Sequence, residues 1–536
     1  MHGDEVDYLE LVLLTLLFAV AVLALVAKRL RVAYPIVIVL GGLLLSLIPR
    51  LPRVSLEPDV VLLVILPPLV FSAAFHTSWR DFRGNLIAIL MLAFGLVGFT
   101  IFGVAGVMRF LISGFDWKLG LVLGSLVAAT DAIAATAIAK RLGLPRRITD
   151  LLEAESLVND GSGLVALKFT LAMVMTGTTP SFLAGTGTLL YLVFAAVVIG
   201  LLAGFIIHRI QERIDDAPIE ITISLLTPYL AYLTAEKLQC SGVLATLACG
   251  LYLGRRSSGF YSLHARIEAS AVWRTLDFVL NGLVFLVLGL QLPHILSDLQ
   301  GISPRSIIID GAIFSAIVIA LRFMWIYPGE WISSQVERLL KKKAHQASPR
   351  EVFLVGWAGM RGVLALAAAF SLPENLGNGA PFPFRNLIIF LTFCVIFATL
   401  VVQGLSMPAL IRFLKLGKSA VGYEEEVSAR RQMISAALKS LTELRRASAP
   451  DEKEILDYLE TYYRNRLTLV ETEQGEKSKT SESERLERHR HVAQELRDVE
   501  RSVALNLRDE NKIHDEVLRV LEHELDLLDA RFAESD

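Results

Sequence analysis

Cysteine is scarce: three residues in 536. Cys240, Cys249 and Cys394 lie inside or beside apolar runs, without metal-ligand spacing. They read as small hydrophobic side chains, which argues against a disulfide framework or a zinc site. The chain also lacks a phosphate-binding glycine loop and a nucleophile–base constellation, so no enzyme class fits. Charge is sparse over residues 1–414 and dense beyond them, so the formal net charge of −2 describes neither part and points to no nucleic-acid partner. The start, Met-His-Gly-Asp-Glu-Val-Asp, has no basic cluster. A cleavable signal needs one, so the first apolar run is expected to be a true span.

Apolar residues are plentiful. They make up 54% of the chain, and the mean hydropathy is +0.53. A soluble domain has little use for so much apolar surface. A bilayer-spanning helix needs about 20 mostly apolar residues. Candidate spans fall at about 9–30, 33–49, 58–76, 85–112, 117–139, 149–174, 182–208, 217–236, 240–254, 269–292, 306–332, 350–372 and 384–414. An all-α polytopic membrane protein is therefore expected. With the N-terminus outside, most Lys and Arg of the connecting loops fall inside, among them Lys28-Arg29, Lys140-Arg141 and Lys341-Lys342-Lys343. An odd number of spans then puts the C-terminal tail, 415–536, in the cytoplasm. The tail reads as amphipathic helices over 422–448, 450–471 and 483–533, with a linker near 474–484. It is a solvated appendage or a regulatory module. Its histidines, His489, His491, His514 and His523, show no zinc-like pattern.

Ionisable groups inside spans cost about 2.5–3.5 kcal/mol each on insertion scales, so each needs a reason. The sixth span is densest: Glu153, Glu155, Asn159, Asp160 and Lys168. At helical spacing Ser156, Asn159 and Asp160 converge on one side, followed by a flexible Gly161-Ser-Gly163. Glu155 has a plausible partner in Arg361 of the twelfth span. Asp160 has no obvious cation to neutralise it, and it is the leading candidate for an exchangeable site. Lys168 lies near a helix end and can reach the interface. The fifth span carries Thr130, Asp131 and Thr136 among small residues, and the twelfth reads Gly356-Trp-Ala-Gly359-Met-Arg361-Gly362. Both invite a break. Transporters place substrate where two such broken helices cross, in halves related by an inverted repeat. Of the remaining polar groups, Pro67-Pro68 should kink the third span. Asn281 can bond across helices or line a cavity, Arg274 and Asp277 are placed to pair, and Arg322 reads as structural.

The run Glu155-Ser-Leu-Val-Asn159-Asp160 resembles the Glu-Ser-Leu-x-Asn-Asp motif of the sodium/proton exchangers of the NhaP and NHE branch. Supporting matches are Leu66-Pro-Pro68, Thr130-Asp131, Phe285-Leu-Val-Leu-Gly289, Arg322-Phe-Met-Trp-Ile-Tyr-Pro328 and Gly359-Met-Arg361-Gly, in family order across some four hundred residues. The tail matches nothing in that family. The resemblance implies thirteen spans and a homodimer in the bacterial inner membrane, with a core domain that moves against a dimerisation domain. It implies no cofactor. Asp160 would bind a monovalent cation (Na+, or Li+ or K+) or a proton in turn, beside Asn159. Ser156, Thr130 and Asp131 match positions tied to cation coordination or its support, and Glu155 and Arg361 match a structural ion pair. The Asn-Asp pair looks like the electroneutral one-for-one type. The chain departs from the pattern at Ser72 and Asn281, where some members carry an acid, and at Ala132, where many carry proline. Potassium or broad cation exchange is the alternative. An ion channel or a membrane sensor acting through the tail is the alternative from another class. A channel should show polarity along a continuous path, whereas here it gathers on two or three spans.

Overall fold

A computed structural model describes residues 2–48, 57–179, 181–297, 304–340, 347–377, 379–416, 421–447, 453–474 and scattered positions between 496 and 525. Among these the chain is helical, apart from one isolated antiparallel bridge between Asn375 and Pro381. It forms two compact units, Met1–Ser419 and Ala420–Asp536.

The first unit is a bundle of α1 (His2–Leu30), α2 (Tyr34–Ser46), α3 (Val60–His76), α4 (Leu86–Leu111), α5 (Trp117–Ala128), α6 (Ile133–Arg141), α7 (Arg146–Thr176), α8 (Phe182–Gln211), α9 (Ala217–Lys237), α10 (Gly242–Phe260), α11 (Leu263–Leu290), α12 (Pro304–Leu339), α13 (Pro349–Trp357), α14 (Val363–Phe370) and α15 (Arg385–Leu414). Eight segments are long and apolar enough to cross a membrane, and α2 and α3 are shorter apolar helices. The chain is an all-α polytopic membrane protein. The outward faces of α1 and α8 are apolar and exposed: Phe18, Leu25, Leu190 and Phe194 are more than 60% accessible. In water such faces would aggregate; against lipid they are at their lowest free energy.

Three helices pass through a wide, π-type turn, and each of the first two frees a carbonyl that another helix satisfies. In α3 the turn covers Val60–Ile65, just before Pro67 and Pro68. A proline lacks the N–H and crowds the carbonyl four residues back. For Pro68 that carbonyl is Val64, and the Tyr229 hydroxyl of α9 donates to it at 2.9 Å. In α4 the turn covers Met91–Leu96, and Trp325 Nε1 of α12 donates to the Met91 carbonyl at 3.1 Å. In α15 it covers Thr399–Gln403.

The fifth and twelfth spans are each in two pieces, α5 with α6 and α13 with α14. The two gaps lie against one another: the Asp131 N–H donates to the Met360 carbonyl at 2.7 Å. By contrast α7 runs unbroken through Gly161-Ser-Gly163. The expected flexibility there is replaced by tight packing. A side chain on Gly161 would strike Leu244, and one on Gly163 would press on Ala129 beside the first gap.

In the second unit, α16 (Val421–Ala447) and α17 (Lys453–Gln474) pack through Val427, Ile434, Leu438, Tyr463 and Leu467. Arg464 and Arg445 both bond Glu460 and hold its carboxyl below the usual range. The expected linker near 474–484, most of 483–533 and the four tail histidines lie outside the described residues.

Candidate functional site

A helix start leaves four backbone N–H groups without partners, and a helix end leaves four carbonyls. A break in mid-membrane creates both where no water is available, so the protein must answer each one. At the start of α6 the Thr130 N–H donates to Asn159 Oδ1 at 3.3 Å, and the Ala132 N–H donates to Ser156 Oγ at 3.3 Å. Asp131 Oδ1 accepts its own loop's Ile133 N–H at 2.8 Å, and Met360 takes the Asp131 N–H. The α7 motif thus serves as a template for the broken stretch of backbone beside it.

The carbonyl ends are met by two buried arginines. Arg361 donates from Nε to Val127 at the end of α5 (2.7 Å) and from Nη1 to Gly359 in the second gap (2.7 Å). Its own N–H donates to Thr399 Oγ1 of α15 at 3.0 Å. Arg322 of α12 donates from Nε to Gly356 and from Nη2 to Val355, at the end of α13 (3.0 and 2.9 Å). A cation at a helix C-terminus also complements the axial dipole. Gly359 is required here, because any β-carbon would collide with the Arg322 guanidinium. Gly362, at the start of α14, leaves room in the same way for the Asp131 carboxylate.

Arg322 also binds Glu155 through two nitrogens, Nη1 to Oε1 at 2.6 Å and Nη2 to Oε2 at 3.0 Å. This corrects the expected pairing of Glu155 with Arg361. Arg361 sits nearby and fully buried, but its donors point at backbone carbonyls, and its Nη2 has no partner. The parallel fork of Arg322 matches both carboxylate oxygens, which is the strongest geometry an arginine offers. Sequence pattern could not choose between Arg322 and Arg361, because both are arginines inside apolar spans. The available signal was that an arginine buried in an apolar span needs a carboxylate.

The Thr130 hydroxyl donates to Glu155 Oε1 at 3.3 Å and accepts from Asn159 Nδ2. Thr130 and Asn159 are 4% and 0% exposed, and both side chains are engaged in this relay. They lie behind the cavity wall and hold the break. Neither is among the residues that line the open space, and bracing the gap is the supporting role open to them.

That space is a cavity of about 120 Å³ between α3, α7, α11, α14 and the first gap. Its polar lining comes from Asp131, Ser156, Asp160 and Asn281, and most of the rest is apolar. Among the described residues the Asp160 carboxylate has neither a hydrogen bond nor an ion pair. It faces the cavity one turn beyond Ser156 on the same side of α7. Asp131, by contrast, is held by its own loop. Ser72, expected as a further site residue, is 2% exposed, and its hydroxyl donates to Asp277 Oδ2 at 2.5 Å. The expected Arg274–Asp277 pair does not form: Arg274 Nε turns back to the Ser270 carbonyl. Lys168 reaches Glu236 of α9 at 2.7 Å.

The chain is similar to known proteins in sequence and fold. The transmembrane sodium/hydrogen exchanger profile matches residues 13–413. A protein of Mycobacterium tuberculosis described as an uncharacterised Na+/H+ exchanger is 35% identical over 524 residues, 96% of this chain and 95% of that one. A sodium, potassium, lithium and rubidium/H+ antiporter of Bacillus pumilus is 32% identical over 82% of this chain and 66% of its own. The solved structure of the sodium proton antiporter MjNhaP1 from Methanocaldococcus jannaschii shares the fold, with a TM-score of 0.58 at 20% identity over 77% of this chain and 98% of that chain. With a partnerless carboxylate at crossed helix breaks and a family match over nearly the whole of the first unit, the chain belongs to the sodium/hydrogen exchanger family.

Proposed function

We propose that this protein exchanges Na+ or Li+ for H+ across a bacterial inner membrane, one for one, with Asp160 binding cation and proton in turn. The observation that carries this reading is the free carboxylate of Asp160 in a cavity bounded by two helix breaks. A carboxylate that has no cation or donor among the described residues is open to a dissociable one. Ser156 and Asp131 stand beside it to supply further oxygens. Asn281 lines the same space.

Competition at one carboxylate yields antiport by a simple rule. The empty, charged site carries the largest desolvation penalty and crosses poorly. The protonated and the cation-loaded sites are close to neutral and cross. Glu155 and Arg322 neutralise each other and Asp131 is held by its own loop, so Asp160 serves as the exchanging charge, and one positive charge moves each way. The broken pairs and α7 form the moving core in an elevator-like step against a dimerisation scaffold. The protein works as a homodimer with its N-terminus periplasmic and its tail cytoplasmic. Its role is in pH and sodium homeostasis.

A second reading, exchange of K+ or of several alkali cations, is favoured by the Bacillus pumilus relative and by the lining itself. Carboxylate, hydroxyl and amide oxygens such as these discriminate weakly among monovalent cations by residue type alone. The test is Asp160→Asn in everted vesicles, followed with a pH-sensitive dye while Li+, Na+ or K+ is added. Loss of exchange with normal membrane insertion is expected, and sustained exchange in the variant overturns the assignment.

A further inference from the structure

Asp277 is a second, partly buried carboxylate that the exchange site does not use. Its Oδ2 accepts the Ser72 hydroxyl at 2.5 Å, which joins α11 to α3. Its Oδ1 is buried with no partner. A buried, unpartnered carboxylate oxygen carries a desolvation penalty of about 1–3 kcal/mol or more. No basic side chain of its own helix relieves it, since Arg274 bonds the Ser270 carbonyl. The groups that face it are His76, whose Nδ1 donates to the Ser72 carbonyl at 2.7 Å, and the Tyr34 hydroxyl of α2. Tyr34 is also within electrostatic reach of Asp131, in the first helix gap. The neighbours of the pair open onto the main cavity: Ala73 follows Ser72, and Asn281 lies one turn from Asp277, and both line the space that holds Asp160. The Ser72–Asp277 pair thus lies between the end of α3 that carries His76 and the cavity wall.

We propose that Asp277 is a second, transient station for the transported alkali cation, through which the Asp160 site is loaded from the membrane face on the His76 side. This rests on the exchange function proposed above, whose orientation makes that face cytoplasmic. One carboxylate with neutral hydroxyls supplies a single negative charge, which suits a monovalent cation. A divalent ion takes six or more oxygen ligands, several of them charged. An anionic group at the neck of a low-dielectric cavity raises the local cation concentration and so the loading rate. The site at Asp160 and its turnover are left as they are.

The test is the apparent KM for cation added to everted vesicles, where the medium meets the cytoplasmic face. Asp277→Asn keeps an acceptor for Ser72 and removes the charge. It should raise KM roughly threefold or more with the maximal rate within a factor of about two. Asp277→Glu should bring KM back toward wild type. An unchanged KM overturns the proposal, and so does a fall in maximal rate at constant KM, the signature of a proton relay or a structural group. If Asp277→Asn is not recovered in the membrane, Asp277→Ser is read by the same criteria. Wild type and Asp160→Asn run alongside. If wild type fails to exchange or Asp160→Asn exchanges, the exchange function itself is wrong. If both controls behave, the change in KM reports on Asp277 alone.

Discussion

Arg322 on α12 and Glu155 on α7 form a two-pronged ion pair at 2.6 and 3.0 Å, each side chain 1% exposed, and the same arginine holds the last carbonyls of α13. One residue therefore ties the motif helix to the second break. The position of Asp160 depends on it, although Arg322 does not line the cavity.

Removing one partner of this pair strands a buried charge. Arg322→Met or Glu155→Gln alone should destabilise the detergent-solubilised protein by about 3–5 kcal/mol. The double variant Glu155→Gln with Arg322→Met should recover part of that loss, since no charge remains uncompensated. Thermal unfolding followed by tryptophan fluorescence or by aggregation onset checks it. Additive losses would count against the pair.

Gly359→Ala places a methyl group in the Arg322 guanidinium. Arg322 cannot yield without giving up Glu155 or the α13 carbonyls. The expected result is a loss of about 2 kcal/mol or more, with lower yield from membranes. Gly98→Ala, where a β-carbon meets open space, is the control and should behave as wild type.

Asn159 and Asp160 are adjacent, yet their substitutions should differ in kind. Asp160→Asn should abolish cation-dependent exchange while leaving the melting temperature near wild type. Asn159→Ala removes the acceptor for the Thr130 N–H and the donor to its hydroxyl. It should lower thermal stability by about 1–3 kcal/mol and reduce exchange only in part. Paired melting curves and dye assays on the two variants decide this; a stable, inactive Asn159→Ala would place Asn159 at the ion.

If Asp160 is the single exchanging charge, the cycle moves no net charge. Proteoliposomes adsorbed on a solid-supported membrane should give little sustained current on a cation jump. Imposing a membrane potential with valinomycin and K+, in the presence of Na+, should leave the exchange rate within a factor of about two. A robust current would require a second charge in the cycle, and Asp131 would be the first residue to substitute.

In the tail, Ile434 is 5% exposed between α16 and α17. Ile434→Asp buries a charge in a small apolar cluster and should open the pair, at a cost of about 2–4 kcal/mol. Hydrogen exchange across 421–447 and 453–474 reads the effect directly. Unchanged protection would mean that the two helices do not depend on this contact.

Much was legible in the amino-acid order alone. Runs of apolar residues dictate membrane helices because the bilayer leaves the backbone no other choice. Glycines around Arg361 signalled the second break, and a polar Thr130-Asp131 among small residues marked the first. Spacing along one helix put Ser156 and Asp160 on one side. What the order could not decide was which distant group answers each buried charge. Two buried arginines, Arg322 and Arg361, could have answered Glu155, and only packing assigns the first to the carboxylate and the second to the carbonyls of Val127 and Gly359. Likewise the motif offers Thr130 and Asn159 as ligands or as support, and only packing shows that they brace a helix gap. Local periodicity fixes which face a side chain occupies. The partner across that face is set by how helices more than a hundred residues apart come to lie together, and a sequence read along its length does not contain that distance.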